Sequence, residues 1–100
     1  MNFNTVKYFL VACEKRNFTK AAAAIGIAQP SLSIAIQRLE RELGGALFYR
    51  DGLGVRLTQL GRDLRPTFRA ISRHADQALS RAARQNNFKS STNPTMQTAA

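Results

Sequence analysis

Phe18-Thr19-Lys20-Ala21-Ala22-Ala23-Ala24-Ile25-Gly26-Ile27-Ala28-Gln29-Pro30-Ser31-Leu32-Ser33-Ile34-Ala35-Ile36-Gln37-Arg38-Leu39-Glu40-Arg41-Glu42-Leu43 decides the fold. Ala21 to Ala24 is a run of the strongest helix former, and its small side chains allow another helix to approach closely. Thr19 is read as the N-cap of this helix, and Gly26 suits the left-handed position just past its end. A new helix then opens at Gln29-Pro30, because proline at the first helical position loses no intrahelical hydrogen bond. Leu32, Ile36, Leu39 and Leu43 are spaced four, three and four, which makes them the buried stripe of that helix. Ser31, Ser33, Ile34, Gln37, Arg38 and Arg41 lie away from the stripe. Two short helices joined by a tight turn, the second edged with hydroxyls and arginines, have the layout of a helix-turn-helix.

Upstream, the first helix is predicted from about Asn4 to Lys15. Phe3, Val6, Phe9, Leu10 and Cys13 recur at helical spacing as its buried face, while Lys7, Glu14 and Lys15 stay wet. Downstream, Gly44-Gly45 ends the third helix. Leu47-Phe48-Tyr49-Arg50 and Val55-Arg56-Leu57 alternate as short strands around the loop Asp51-Gly52-Leu53-Gly54, which predicts a β-hairpin wing. Thr58 caps a long helix expected to continue to about Gln85. Leu64, Phe68, Ile71, Ala75, Ala78 and Ala82 repeat at alternating spacings of four and three, the seam of a helix pair. Arg62, Arg65, Arg69 and Arg73 fall opposite that seam. Pairing with a second copy is preferred over folding onto the same domain. Pro66 predicts a kink or a late start, since it deletes one backbone hydrogen bond. After Gln85 the chain loses apolar periodicity, and residues 86–100 read as a flexible tail.

The chain has 100 residues and a formal net charge of +9, with a pI near 11.2. One small domain plus a long element fits that length. The charge calls for a polyanionic partner, nucleic acid or an anionic membrane. No segment offers the roughly 18 consecutive apolar residues of a membrane span, and the start lacks a signal peptide's pattern. A cytoplasmic, nucleoid-associated location without membrane contact is expected. Cys13 is the only cysteine, so neither a disulfide nor a cysteine metal cluster can form within the chain. It is assigned to core packing. His74, the only histidine, has no partners at metal-ligand spacing. No nucleophile–base pair, phosphate loop or carboxylate pair is present, so no enzyme activity, cofactor or metal site is assigned.

The residues from Phe18-Thr19-Lys20-Ala21-Ala22 through Gln29-Pro30-Ser31-Leu32-Ser33, Ile36, Arg38-Leu39-Glu40, Glu42-Leu43-Gly44 and Leu47-Phe48 resemble, in order and spacing, the amino-terminal domain of the LysR-type transcriptional regulators. Arg50, Gly54-Val55-Arg56-Leu57-Thr58 and Gly61 extend the match, which covers about residues 1 to 85. The resemblance implies a mainly α winged helix-turn-helix, a three-helix core with a short hairpin wing, followed by a dimerisation helix. It implies a third helix in the major groove of double-stranded DNA, a wing towards the minor groove, and a homodimer formed through the linker helix, with higher oligomers or heterodimers with a relative as variants. It also implies a larger carboxy-terminal inducer-sensing domain that these residues do not include, so no small-molecule site is expected here. The organisation read is 1–58 for DNA binding, 59–85 for the linker and dimerisation helix, and 86–100 for the tail.

Several positions depart from the family pattern: Ala28 replaces a usual serine, Ile34 and Ala35 stand where long polar residues are usual, Leu53 replaces a wing arginine, and Asp51 adds negative charge. Candidate DNA contacts follow from residue chemistry and the match together. Thr19 and Lys20 suit phosphate at a helix start. Gln29 can pair with adenine, and Ser31 and Ser33, in the first turn of the recognition helix that Pro30 opens, can reach phosphate or base edges. Ile34 offers an apolar contact to a thymine methyl group. Arg38 is assigned to backbone, and Arg50 and Arg56 flank the wing. The competing readings are an interaction protein that heterodimerises with full-length relatives, and a protein that coats DNA without sequence preference.

Overall fold

The computed structural model describes the backbone of residues 1–90 and the side chains through residue 86. Four helices follow one another: α1 Phe3–Lys15, α2 Phe18–Ile25, α3 Gln29–Leu43 and α4 Gln59–Ser90. Each boundary has a local cause. Asn2 and Thr5 form a reciprocal capping box at α1, at 2.9 and 3.1 Å. Arg16 closes α1 in the left-handed region, at φ 57°. Asn17, not Thr19, caps α2 by accepting the Lys20 N–H at 2.8 Å. Thr19 is one residue inside the helix. Gly26 and Gly44 end α2 and α3 at φ 91° and 80°, a conformation glycine adopts without a Cβ penalty. Ala28 precedes α3 with no side-chain cap, as its methyl group dictates.

The core lies where α1, α2, α3 and the start of α4 meet. Val6, Phe9, Ala12, Ala21, Ala22, Leu32, Ile36, Leu39, Leu47, Phe48 and Phe68 are almost completely buried. The alanine run therefore contributes Ala21 and Ala22 to close packing, whereas Ala23 and Ala24 face solvent. A continuous aromatic row threads this core. Phe68 meets Phe9 edge-on at 5.2 Å, Phe9 meets Phe48 at 5.4 Å, and Phe48 meets Phe18 edge-on at 5.4 Å. Phe3, expected in the buried face, is 63% exposed because it begins α1 ahead of the packed region.

Several other expectations need correction. The hairpin is reduced to a single antiparallel bridge between Phe48 and Leu57, flanked by hydrogen bonds from Tyr49 N–H to the Arg56 carbonyl and from Thr58 N–H to the Leu47 carbonyl, each 2.9 Å. Leu47 and Phe48 are both buried, so the alternation of a two-faced strand is broken at its first step. The wing is a loop on a short base.

Helix α4 does not start late: Pro66 sits inside its span, one turn and more past its first residue. Thr58 starts it, accepting the Gly61 N–H at 3.1 Å and donating to the Ala46 carbonyl. Gly61 lets the helix graze the preceding chain; a Cβ there would lie 2.4 Å from the Leu47 carbonyl oxygen. The helix also continues past Gln85 to Ser90, so the first part of the expected tail is helical, and the expectation for 91–100 lies outside the described residues.

The first half of α4 folds onto its own domain. Phe68 is 2% exposed, Ala75 is buried, and Leu64 and Ile71 pack half-buried against the core. Part of the seam expected to pair with a second copy is thus covered from within the chain. Arg65 and Arg69 do not face away either: with Ser72 they border a cleft of about 390 Å³ against Lys7, Leu10, Val11 and Glu14 of α1. Asp76 still pairs with Lys7 of α1 at 3.0 Å; beyond it the helix leaves the domain, and Ala78, Leu79 and Ala82 are exposed.

Candidate nucleic-acid interface

Helix α3 buries Leu32, Ile36 and Leu39, which turns its other side outward. Gln29, Pro30, Ser31, Ile34, Gln37 and Arg38 are exposed there, and Ser33 is half-buried. The Gln29 side-chain N–H donates to the Ser33 hydroxyl at 3.0 Å, one helical turn apart. This contact orients the amide across the first turn. Ile34 is 51% exposed and is not needed for packing. An exposed apolar group amid hydroxyls, amides and arginine is suited to an apolar partner within a polar surface.

Thr19 and Lys20 are exposed at the start of α2, beside α3. The Lys20 backbone N–H is taken by Asn17, leaving its ammonium to act through charge. Arg38 and Lys20 make no ion pair among the described residues.

The two wing arginines each have a carboxylate partner that the sequence did not announce. Arg50 donates to Glu40 at 2.7 Å, and its guanidinium lies 5.6 Å from the Phe18 ring centroid. The other Glu40 oxygen accepts the backbone N–H groups of Leu47 and Phe48, at 2.7 and 3.3 Å. One α3 carboxylate therefore anchors the base of the wing at three points. Arg56 pairs with Asp51 and stacks over Tyr49, 5.0 Å from its ring centroid. Asp51 also accepts the Leu53 N–H at 3.1 Å, an Asx turn that shapes the wing tip. Both arginines flank the wing as expected, but each spends its charge on a neighbouring carboxylate.

A cleft of about 420 Å³ opens between the start of α2, the outer face of α3 and the wing. Arg16, Asn17, Thr19, Ser33, Gln37 and Arg50 supply its polar lining. Sequence reasoning missed Arg16 and Asn17, although asparagine directly before Phe18-Thr19 was a cap signal equal to threonine. It also missed the role of Glu40, which no spacing announces, since its partners come from a loop that folds back.

Among the described residues no cluster of metal-ligating side chains occurs, and no helix is long and apolar enough to cross a membrane. Cys13 is buried beneath α4, and its thiol is pushed up to about 11 by desolvation, against the opposing pull of Arg65 and Arg69.

Comparison with known proteins agrees with this arrangement. Residues 3–62 match the family model for the bacterial regulatory helix-turn-helix protein, lysR family. The HTH-type transcriptional regulator BudR of Raoultella terrigena is 51% identical over 61 residues, 61% of this chain and 21% of that protein. BudR of Klebsiella aerogenes is 42% identical over 82 residues, 82% of this chain and 57% of its own length. The chain thus spans between a fifth and just over half of these relatives. Among solved structures, a BenM_DBD/catB site 1 DNA complex is similar at TM-score 0.79 and 37% identity, covering 84% of this chain and 94% of that one. A CbnR_DBD-DNA complex is similar at TM-score 0.78 and 30% identity, covering 85% and 98%.

Proposed function

The chain belongs to the lysR family of bacterial regulatory helix-turn-helix proteins, and from that premise we propose that it binds double-stranded DNA as a dimer and regulates transcription. The observation that carries the reading is its likeness, over 84% of its length, to a domain solved on DNA. In this reading α3 lies in the major groove. Gln29, Ser31 and Ser33 meet base edges or phosphate, with Pro30 setting the helix start between them. Ile34 meets a thymine methyl group, a feature that only the major groove displays. Thr19, Lys20 and Arg38 hold the sugar–phosphate strands, while Arg50 and Arg56 shape the wing.

The organisation proposed is a DNA-binding unit that includes the packed first half of α4, with dimerisation assigned to the second half. Ala78 and Ala82 allow close helix approach there, and Leu79, 66% exposed, supplies the apolar anchor that a partner would bury. Leu64, Phe68 and Ile71 support that interface from within the domain. No enzymatic step is assigned to this surface, and the reading requires no cofactor.

Footprinting of genomic fragments bound by the protein tests the proposal. Protection with dyad symmetry across two major-groove half-sites supports it. Uniform coverage would instead indicate coating, and heterodimers with longer relatives that leave DNA unprotected would indicate an interaction protein. Salt titration gives a second check. Lys20 and Arg38 from two subunits make four phosphate contacts, which by themselves contribute about −3.6 to the slope of log affinity against log salt, from about −0.9 per contact.

A further inference from the structure

We propose that Arg16, the last residue of the α1 turn, is a DNA-phosphate contact, seated in the cleft between the recognition helix and the wing. The inference rests on the DNA-binding reading above and adds a residue to it. Arg16 lines that cleft of about 420 Å³. The other residues bordering it are Asn17, Phe18, Thr19, Ser33, Gln37, Tyr49, Arg50, Gly52, Gly54 and Val55, none of them acidic. Among these residues the Arg50 charge is held by Glu40 at 2.7 Å. Arg16 is exposed and makes no ion pair among the described residues, so its charge is the one left uncompensated on the cleft wall.

The neighbouring groups suit one chemistry. Thr19 and Ser33 hydroxyls and the Asn17 and Gln37 amides can each meet phosphate or sugar oxygens, while a guanidinium binds a phosphodiester through a planar pair of N–H groups. The cleft also lies where a strand would run between a major-groove helix and a wing. A phosphodiester of the DNA backbone is therefore assigned as its occupant. Arg16 is the only non-glycine residue with positive φ among those described, at 57°. Glycine adopts that conformation freely. Replacing the side chain by hydrogen therefore removes the cation while relaxing the backbone, which separates contact from fold.

The experiment compares wild type, Arg16→Gly and Arg16→Lys on a duplex of random sequence, by fluorescence anisotropy across a potassium chloride series, with melting curves for each protein. Arg16→Gly is expected to bind ~10-fold more weakly at low salt, with a salt slope shallower by about 1.8 for two subunits, and to melt no lower than wild type. Arg16→Lys should keep the slope. The inference is overturned if Arg16→Gly retains wild-type affinity and slope, or if its weaker binding accompanies a lower melting temperature. Inorganic phosphate is titrated separately: resonance shifts of the Arg16 side chain with phosphate, without any loss of DNA affinity in Arg16→Gly, would assign the cleft to a free anion and overturn the proposal. Wild-type protein that fails to bind any duplex would refute the broader DNA-binding reading as well, so the two failures are distinguishable.

Discussion

Phe68→Ala separates the two roles that a heptad-like residue on α4 can have. Phe68 is 2% exposed and meets Phe9 edge-on within the same chain. Truncating such a buried phenylalanine costs roughly 3–5 kcal/mol, since it removes apolar burial and leaves a cavity that the rigid helix crossing cannot fully close. A domain of this size has only about 5–15 kcal/mol of stability to lose. At roughly 4–8 °C per kcal/mol for small domains, the melting temperature should fall by at least ~12 °C. Because the contact lies within one chain, the fall should be the same at protein concentrations tenfold apart. Leu79→Asp is the contrasting variant: its side chain is exposed, so the fold should survive while the dimer is lost. Thermal unfolding by circular dichroism and sedimentation velocity on both proteins provide the readout. A Phe68→Ala protein that melts like wild type but sediments as a monomer would refute the intrachain argument and return the whole seam to the dimer.

Gly61→Ala should destabilise the protein by ~1–3 kcal/mol in urea titration despite alanine's better helix propensity, because its Cβ would meet the Leu47 carbonyl oxygen at 2.4 Å; a gain in stability would contradict the close approach. Asp51→Asn keeps an oxygen for the Leu53 N–H but releases Arg56, so DNA affinity should rise and the salt slope should steepen by about 1.8 for two subunits. Unchanged binding in anisotropy would mean that Arg56 does not face DNA. Cys13, with its thiol raised from an ordinary 9.0 to about 11, favours the protonated form in the folded state. Its contribution to stability is present below pH 9 and is lost as pH rises towards 11. Cys13→Ala should remove that alkaline loss in denaturation measured from pH 8 to 11, and an identical pH profile in both proteins would reject the assignment.

The helical scaffold was legible because its signals are local. Gly26 and Gly44 terminate helices through their own backbone freedom, Pro30 marks a helix start, and the Leu32–Ile36–Leu39 stripe states which side is buried. The wing was less legible. Its apparent alternation was real in composition, but Leu47 and Phe48 both turn inward because Glu40 draws their N–H groups to α3, a contact between residues seven and eight positions apart in sequence. The α4 seam was only partly legible, for a different reason. A repeat of four and three says that one stripe of a helix is covered, but not whether the cover comes from the same chain. Phe68 found Phe9, while Ala78 and Ala82 lie beyond the reach of α1. The candidate interface was legible as a set of residue types on α3, but not as a balance of charge. Arg50 and Arg56 were recognisable as cations; that each would meet a carboxylate depended on how the loop closes.

The three-point hold of Glu40 on the base of the wing bears on how a duplex would have to adapt. With few ladder bonds of its own, the wing takes its position from the recognition helix, so the distance between the two elements is set before DNA arrives. A duplex engaging both must then match that fixed span through its own groove width and curvature. Steps that narrow or bend at little cost would be favoured even at base pairs that no side chain reaches. Part of the selectivity of this domain would thus reside in the stiffness of the DNA, with Glu40 acting as the gauge against which it is measured.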